Sequence, residues 1–550
     1  MTGEGAKQNT WIHAAVLAVM YVLTRCVDLL SLPMFNDEAI YIRWATLVRE
    51  DPTRLFISSI DGKSPLFTWF NALTLGLFDD VLLSGRAVSV LAGAFAVAGI
   101  YLVGKTLYSP SAGFSASAMY LLFPFSTIHD RMALMDTMAT AFVVWLFYFI
   151  FRFAREENVF RNGIAMGLAM GLGFLTKTPV LMFFIFPVLG LLFFSDYKNP
   201  RSWKGLAVAY AAALIVMAPY LSYEPPTHTA GTSKVLHNAH IWDSLAALLK
   251  LEDSPLFANI KGLLGDLWAY VTWPLALIFA VSALRVFKTR DRKEVFLFLW
   301  FLIPSAAIAV LGRVVYSRYY LFAVPPVALL SAMTLAKLSG AIFAKWEYAA
   351  AVRRFRPAIS FGALGLVLLP AACFDYKLIR SPESAGWVEQ DRWQYADSEY
   401  SGYGIKEAVD FFVGVAREKP VVVFVTETWG MPGDALHLYL RDRPNIQVYE
   451  AWWFTTMPVV PANIEKFKVF KSKYDRGYTA TLNMSDLKNK EVYFVDRDHV
   501  SPPAVLMERN PNLKRIRSFK KLEDGHSFSV YRLDPSIQLY VPIAPPQARP

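Results

Sequence analysis

Up to about residue 375 the chain is a succession of apolar runs separated by short polar breaks. Stretches such as "LMFFIFPVLGLLFF" and "GLAVAYAAALIVMAPYL" recur, and repeated apolar runs of roughly 20 residues predict membrane-spanning helices. Spans are expected near 12–30, 84–107, 112–128, 132–151, 162–176, 179–194, 204–222, 269–287, 294–311, 318–336 and 358–375, about eleven in all and at most about thirteen. "GKSPLFTWFNALTLGLF" is apolar but short and opens on a proline, so it is expected to lie in the membrane interface rather than to cross it. In "GIAMGLAMGLGF", Gly163, Gly167 and Gly171 fall four residues apart. That spacing lets a second helix approach closely.

After residue 376 the pattern changes. Short β-rich runs ("VVVFV", "IQVYEA", "EVYFVD", "SFSVYRL") alternate with polar segments and one helical stretch, "GDALHLYLRD". This predicts a water-soluble α/β domain of roughly 170 residues over 376–550. The tail "VPIAPPQARP" is proline-rich. The expected organisation is therefore a membrane domain over 1–375, with outer loops at 31–83 and 223–268, followed by the α/β domain.

Composition sharpens this reading. The chain is 55% hydrophobic, 18% charged, and carries a net charge of +10. Lys and Arg concentrate in alternate loops: Lys105; Arg152, Arg155 and Arg161; Lys198, Arg201 and Lys204; Arg285, Lys288, Arg290, Arg292 and Lys293; Lys345, Arg353, Arg354 and Arg356. By the positive-inside rule these loops face the cytoplasm. The basic charge then needs no nucleic acid, and no basic stripe with interleaved aromatics occurs. The two cysteines, Cys26 and Cys373, lie in apolar runs and make no disulfide framework. The first apolar run carries Arg25 and Asp28 and has no clean small-residue cleavage site, so it reads as an uncleaved span.

The opposite face collects the unusual polar residues. Asp37 and Glu38 follow the first span, in "SLPMFNDEAIYIRW". Neighbours on a helix point about 100° apart, so the two acids can hardly share one role: either one faces a site while the other orients it or caps the helix, or both form a water-facing capping pair that opens an interfacial helix. Lys63 precedes the interfacial segment, where an ammonium either binds a lipid phosphate or snorkels. Arg131 sits at the mouth of a span with Asp136 about 1.4 turns deeper, linked to each other or serving a site. Lys177 occupies the turn in "FLTKTPVLMF", and Arg313, Tyr316 and Arg318 form another cationic turn. His237 and His240, in "HNAH" near His228, have the spacing of a weak metal-ligand pair. One acid pair among several cations suits a reaction in which a phosphate departs as a stable anion, needing cations rather than a general acid, and in which one carboxylate deprotonates an acceptor hydroxyl. Glycoside hydrolysis would need two flanking carboxylates.

Taken in order, "DEAIY", "GKSPLFTW", "RMALMD", "GLGFLTKTP" and "RYYLFAVPP" resemble the GT-C glycosyltransferases that use polyprenyl-phosphate sugars. Within these, the chain is similar to the protein O-mannosyltransferase and aminoarabinose (lipid A) transferase-like families. The resemblance covers roughly residues 10–340. It implies a polytopic α-helical fold of GT-C type with an extracytoplasmic C-terminal α/β domain, and inverting transfer from an undecaprenyl or dolichyl phosphate sugar. Asp37, with Glu38 beside it, would supply the catalytic base; Lys63 would contact the lipid phosphate; Tyr41, Arg131, Lys177 and Arg318 would line the substrate site. Asp136 would support them. The pattern departs from aminoarabinose transferases at Ile40, where an arginine is usual, and at Gly62, where a glutamate is usual and has been a proposed metal ligand; a divalent ion is therefore no fixed part of the expectation. The expected partners are the lipid-linked sugar, the membrane, and an acceptor that is protein, lipid or polysaccharide. A prokaryotic plasma membrane, with the site facing outward, is preferred to the endoplasmic reticulum. The competing readings are a transporter or flippase of a lipid-linked or anionic solute, which would bury its charges at the midplane of repeated elements, and a non-catalytic assembly protein.

Overall fold

The computed structural model describes residues 3–156, 158–223, 255–312, 314–345, 350–426, 429–450, 466–470, 479–487, 489–500, 502–510, 513–522 and 526–533. Its helices are α1 (Gly3–Arg25), α2 (Asn36–Glu50), α3 (Leu66–Thr74), α4 (Val81–Leu107), α5 (Pro110–Leu122), α6 (Pro124–Asp130), α7 (Met135–Ala154), α8 (Val159–Thr176), α9 (Phe186–Phe194) and α10 (Pro200–Leu221). They continue with α11 (Leu256–Tyr270), α12 (Trp273–Thr289), α13 (Arg292–Leu311), α14 (Val324–Lys345), α15 (Ala350–Arg380), α16 (Ile405–Ala416), α17 (Gly433–Leu440) and α18 (Pro503–Arg509). The chain divides into two compact units: 1–31, 51–78 and 83–388 form the first, and 32–50, 79–82 and 389–550 the second.

The first unit is helical. Among the described residues, seven helices are long and apolar enough to cross a membrane. They are α4, α7, α8, α10, α13, the segment Ser317–Ala341 and the segment Gly362–Arg380. The other expected spans coincide with shorter or broken helices. Near 112–128 the chain breaks at Phe123, whose extended backbone (φ −73°, ψ 122°) precedes Pro124 and separates α5 from α6. Near 179–194 a 3-10 turn, Thr178–Phe183, leads into α9. The first span ends early, at Arg25. Helix α3 has nine residues, about 13 Å at 1.5 Å per residue, and cannot span; Leu73 and Leu77 beside it are exposed. The expected loop 223–268 closes with a helix, α11, while 224–254 lies outside the described residues.

Helices α8 and α10 pack at backbone distance. A Cβ on Gly163 would stand 2.5 Å from the Gly205 carbonyl oxygen, and one on Gly171 would stand 2.6 Å from Val216 Cβ. A Cβ on Gly167 would collide with the Ala209 carbonyl. The four-residue glycine spacing is thus a packing stripe.

Among the described residues, the second unit is built on a seven-stranded mixed sheet of order β4-β3-β2-β1-β5-β7-β6. The strands are β1 (Val421–Val425), β2 (Ile446–Glu450), β3 (Lys466–Phe470), β4 (Thr479–Asn483), β5 (Glu491–Arg497), β6 (Leu513–Phe519) and β7 (Phe528–Leu533). β1 pairs in parallel with β2 and β5, with Val423 opposite Val448 and Tyr493, and the remaining pairs are antiparallel. All five residues of β1 are buried, which is why a central strand reads as an unbroken apolar run. β6 was not foreseen. It is an edge strand whose five inner positions are exposed and carry Lys514, Arg515 and Arg517, the charged composition that keeps edges from pairing further.

Helix α2 belongs to this second unit, although the sequence assigns it to a loop of the membrane region. The Asn36 N–H donates to the Tyr400 carbonyl at 2.9 Å, and Asn36 Oδ1 accepts from the Met431 N–H at 2.8 Å. Gly430, at φ 80°, lies so close to the Asn36 amide that any Cβ would clash. At the far end of α2, Glu50 pairs with Arg441 at 3.1 Å, and Trp44 meets Trp429 edge-on at 6.4 Å.

Candidate functional site

The candidate residues fall into two groups, one in each unit. In the membrane unit, Lys63 follows the 3-10 turn Ile57–Asp61, which ends at Gly62 in the left-handed conformation (φ 66°). That conformation is open to glycine at no steric cost, and it turns the chain so that the Lys63 N–H reaches the Ser58 carbonyl at 3.1 Å. Lys63 Nζ lies 3.2 Å from Asp61 Oδ2. Its carbonyl accepts from the Tyr220 hydroxyl at 3.3 Å.

Ser64 Oγ stands 3.4 Å from Thr178 Oγ1, so the Lys63 turn adjoins the end of α8. There Lys177, with extended backbone (φ −155°, ψ 121°), closes the helix. Its ammonium donates to Asp136 Oδ1 at 2.5 Å and stands 4.5 Å from the centre of the Tyr319 ring. The Arg318 guanidinium lies 5.6 Å from that same ring and 4.7 Å from the ring of Tyr316. Lys177 and Arg318, from two separate turns, therefore meet at the Tyr319 ring, and the turn carrying Lys63 adjoins them through the Ser64–Thr178 contact. Side chains of Lys63 and Lys177 remain 29% and 23% exposed, so both ammonium groups stay within reach of an added anion. Arg313 lies outside the described residues.

Arg131 is placed differently. Its guanidinium donates to the carbonyls of Thr24, Val27 and Asp28 at 3.1, 2.8 and 2.7 Å, capping the C-terminal end of α1. The expected Arg131–Asp136 link is not formed; the acid pairs with Lys177 instead. The reason is the sharp turn Met132–Leu134 before α7: it sets Asp136 in the first turn of that helix, facing Lys177. Arg131 is thus engaged in architecture.

A second network that sequence reasoning missed lies beside it. Buried Arg25 donates to Asp130 at 3.0 Å, to the Leu121 carbonyl and Thr127 Oγ1 at 2.9 Å each, and to Ser126 Oγ at 3.2 Å. Thr137 donates to Asp130 at 3.0 Å, and Thr127 to Asp375 at 2.8 Å. This ties α1, α6, α7 and α15 together. Only the charges of Arg25 and Asp130 at apolar positions could have signalled it.

In the second unit, α2 presents the acid pair. Glu38 is fully buried, and its Oε2 accepts from the Phe35 N–H at 2.8 Å. This is the backward half of a capping box, a carboxylate three residues into the helix satisfying the N–H at its start. Asp37, beside it, is half-buried rather than enclosed. Tyr41 is buried, its ring 5.6 Å from Trp44. His237 and His240 lie outside the described residues.

The fold is similar to that of solved membrane glycosyltransferases of GT-C type. A family model described as dolichyl-phosphate-mannose-protein mannosyltransferase matches residues 62–223, the stretch that holds Lys63, Asp136 and Lys177. A curated relative, the undecaprenyl phosphate-alpha-4-amino-4-deoxy-L-arabinose arabinosyl transferase of Pseudomonas aeruginosa, is 30% identical over 161 residues. That match spans 28% of this chain and 28% of the relative's length. Among solved structures, ArnT from Cupriavidus metallidurans superposes with a TM-score of 0.58 at 14% identity, covering 96% of this chain and 98% of that one. The same protein bound to undecaprenyl phosphate gives 0.55 at 13% identity, covering 94% and 97%. The Archaeoglobus fulgidus oligosaccharyltransferase tethered to an acceptor peptide gives 0.54 at 12% identity, covering 89% and 69%.

Proposed function

We propose that the protein is an inverting glycosyltransferase that moves a sugar from a polyprenyl phosphate to a hydroxyl acceptor on the outer face of a prokaryotic plasma membrane. The reading rests above all on Lys177 and Arg318 meeting at the Tyr319 ring, with the turn that carries Lys63 beside them. A lipid phosphate leaving as an anion is stabilised by preorganised cations at the atom where charge develops. In this reading Asp37 removes the proton from the acceptor hydroxyl. The resulting oxygen attacks the anomeric carbon from the side opposite the phosphate, the C–O bond to phosphate breaks, and the configuration inverts. Asp136 holds Lys177 in place, and Glu38 fixes the first turn of the helix that carries Asp37. The printed ligand of the Cupriavidus structure, undecaprenyl phosphate, and the polyprenyl-phosphate substrates named for the relatives support the donor class. The concentration of Lys and Arg in alternate loops supports an outward-facing site.

The test follows a radiolabelled polyprenyl-phosphate sugar in membranes carrying the protein. The expected result is inverted label on an outer-face acceptor. Label that changes leaflet while still attached to its lipid identifies a transporter and overturns the proposal.

A further inference from the structure

In the sheet unit, the β5–β7 ladder runs through Asp496 opposite Ser529 and Arg497 opposite Phe528. One step beyond, the Asp498 N–H donates to the Ser527 carbonyl at 2.9 Å. The same register then sets His499 opposite His526, and their rings lie 6.1 Å apart at 60°. Glu399 enters between them from the bend after Trp393–Asp397. Its Oε1 is 3.3 Å from His499 Nε2 and its Oε2 is 3.3 Å from His526 Nδ1. One ligand atom from each of the three residues lies within 4.8 Å of the others.

Two details set this triad apart from an ordinary His–Glu pair. Glu399 Oε2 and His526 Nδ1 are both shielded from solvent, face each other at 3.3 Å, and yet make no hydrogen bond. Buried polar atoms left in that condition are costly unless something satisfies them. The spacing also fits one solution. With metal–nitrogen and metal–oxygen bonds of about 2.0–2.1 Å, neighbouring ligands of a tetrahedral ion stand about 3.3 Å apart. We propose that Glu399, His499 and His526 form a site for a divalent transition metal, with geometry suited to zinc and a fourth position open to water or another ligand.

The surroundings agree with this. The Lys521 ammonium donates to the Ser401 and Tyr403 carbonyls at 2.6 and 2.8 Å. Arg497 and Asp498, of opposite charge, both act on His499. Asp498 itself is engaged with Ser527, Ser529 and Arg515. The role follows from position. Tyr400, next to Glu399, supplies the carbonyl that anchors Asn36 at the start of α2. A metal on Glu399 would fix the bend that holds the helix carrying Asp37. Metal binding stands on the triad alone; only this positioning role rests on the proposed function.

The test uses the full-length protein in detergent, without any purification tag, stripped with a chelator and titrated calorimetrically with zinc chloride. Wild type should bind one equivalent, and His499→Ala/His526→Ala should bind it at least 100-fold more weakly, beyond the roughly 10–100-fold expected of an outer-shell change. Cobalt in place of zinc should give the visible bands of a tetrahedral ion in wild type alone. If the double variant does not fold, Glu399→Gln, which keeps the shape of the side chain, serves for the same comparison. Equal zinc binding by wild type and variant, or none by wild type, overturns the site. Retained zinc dependence with no sugar transfer by any form would leave the metal site standing and remove the glycosyltransferase reading.

Discussion

Two polar clusters in the membrane unit are built from the same residue types and do opposite things. Arg25 and Asp130 are fully buried, and the arginine's donors reach a carboxylate, a carbonyl and two hydroxyls of neighbouring helices. Lys63 pairs with Asp61 and Lys177 with Asp136, and their side chains keep 29% and 23% of their surface exposed. The first cluster is closed to solvent, and the second is open to it. An ionisable residue at a span end is therefore not a site marker by its charge alone. What separates site from scaffold is how much hydrogen-bonding and solvent-facing capacity remains once the fold has taken its share.

Mutations can break that contrast from either side. The largest stability effect is expected at the closed cluster. Asp130→Asn or Arg25→Leu strands a buried charge, and breaking such a pair costs about 3–5 kcal/mol. Thermal unfolding in detergent should show a strongly lowered midpoint or loss of folded protein. Lys177→Ala should act mainly on transfer, with a fall of roughly 100-fold in kcat/KM by analogy with removing one oxyanion-stabilising donor. Because it also leaves Asp136 unpaired, Lys177→Met/Asp136→Asn is the sharper variant: it should unfold near the wild-type midpoint and stay inactive. Recovery of activity by the double variant would assign Lys177 to scaffold. Gly167→Leu should lower stability by about 1–3 kcal/mol, since overpacking forces α8 and α10 apart. Glu38→Gln should cost no more than about 1 kcal/mol, a fraction of a capping interaction, and should leave measurable transfer.

Much of the membrane unit was legible because apolar run length and glycine spacing are local properties. Lys63 and Lys177 stand out for a similar reason, each a polar residue at the end of an apolar segment. The partners were not legible. Asp136 finds Lys177 rather than Arg131 because the turn at Met132–Leu134 sets the direction of α7, which spacing along the chain does not encode. The allegiance of α2 was hidden for a related reason: Asn36 and Met431, which bond it to the second unit, are 395 positions apart. β6 was missed because an edge strand carries charges where a central one carries valines. The metal triad escaped notice because His499 and His526 meet through strand register, whereas "HNAH" drew attention by local spacing.

The most direct measurement is transfer of labelled sugar from polyprenyl phosphate by wild type and Asp37→Asn, with both proteins shown to unfold at the same temperature. General-base catalysis contributes roughly 10²–10⁴-fold, so the variant should retain at most about one hundredth of the wild-type rate while still binding the lipid donor. A variant that transfers sugar at the wild-type rate would mean that Asp37 is not the base and that α2 does not carry the chemistry.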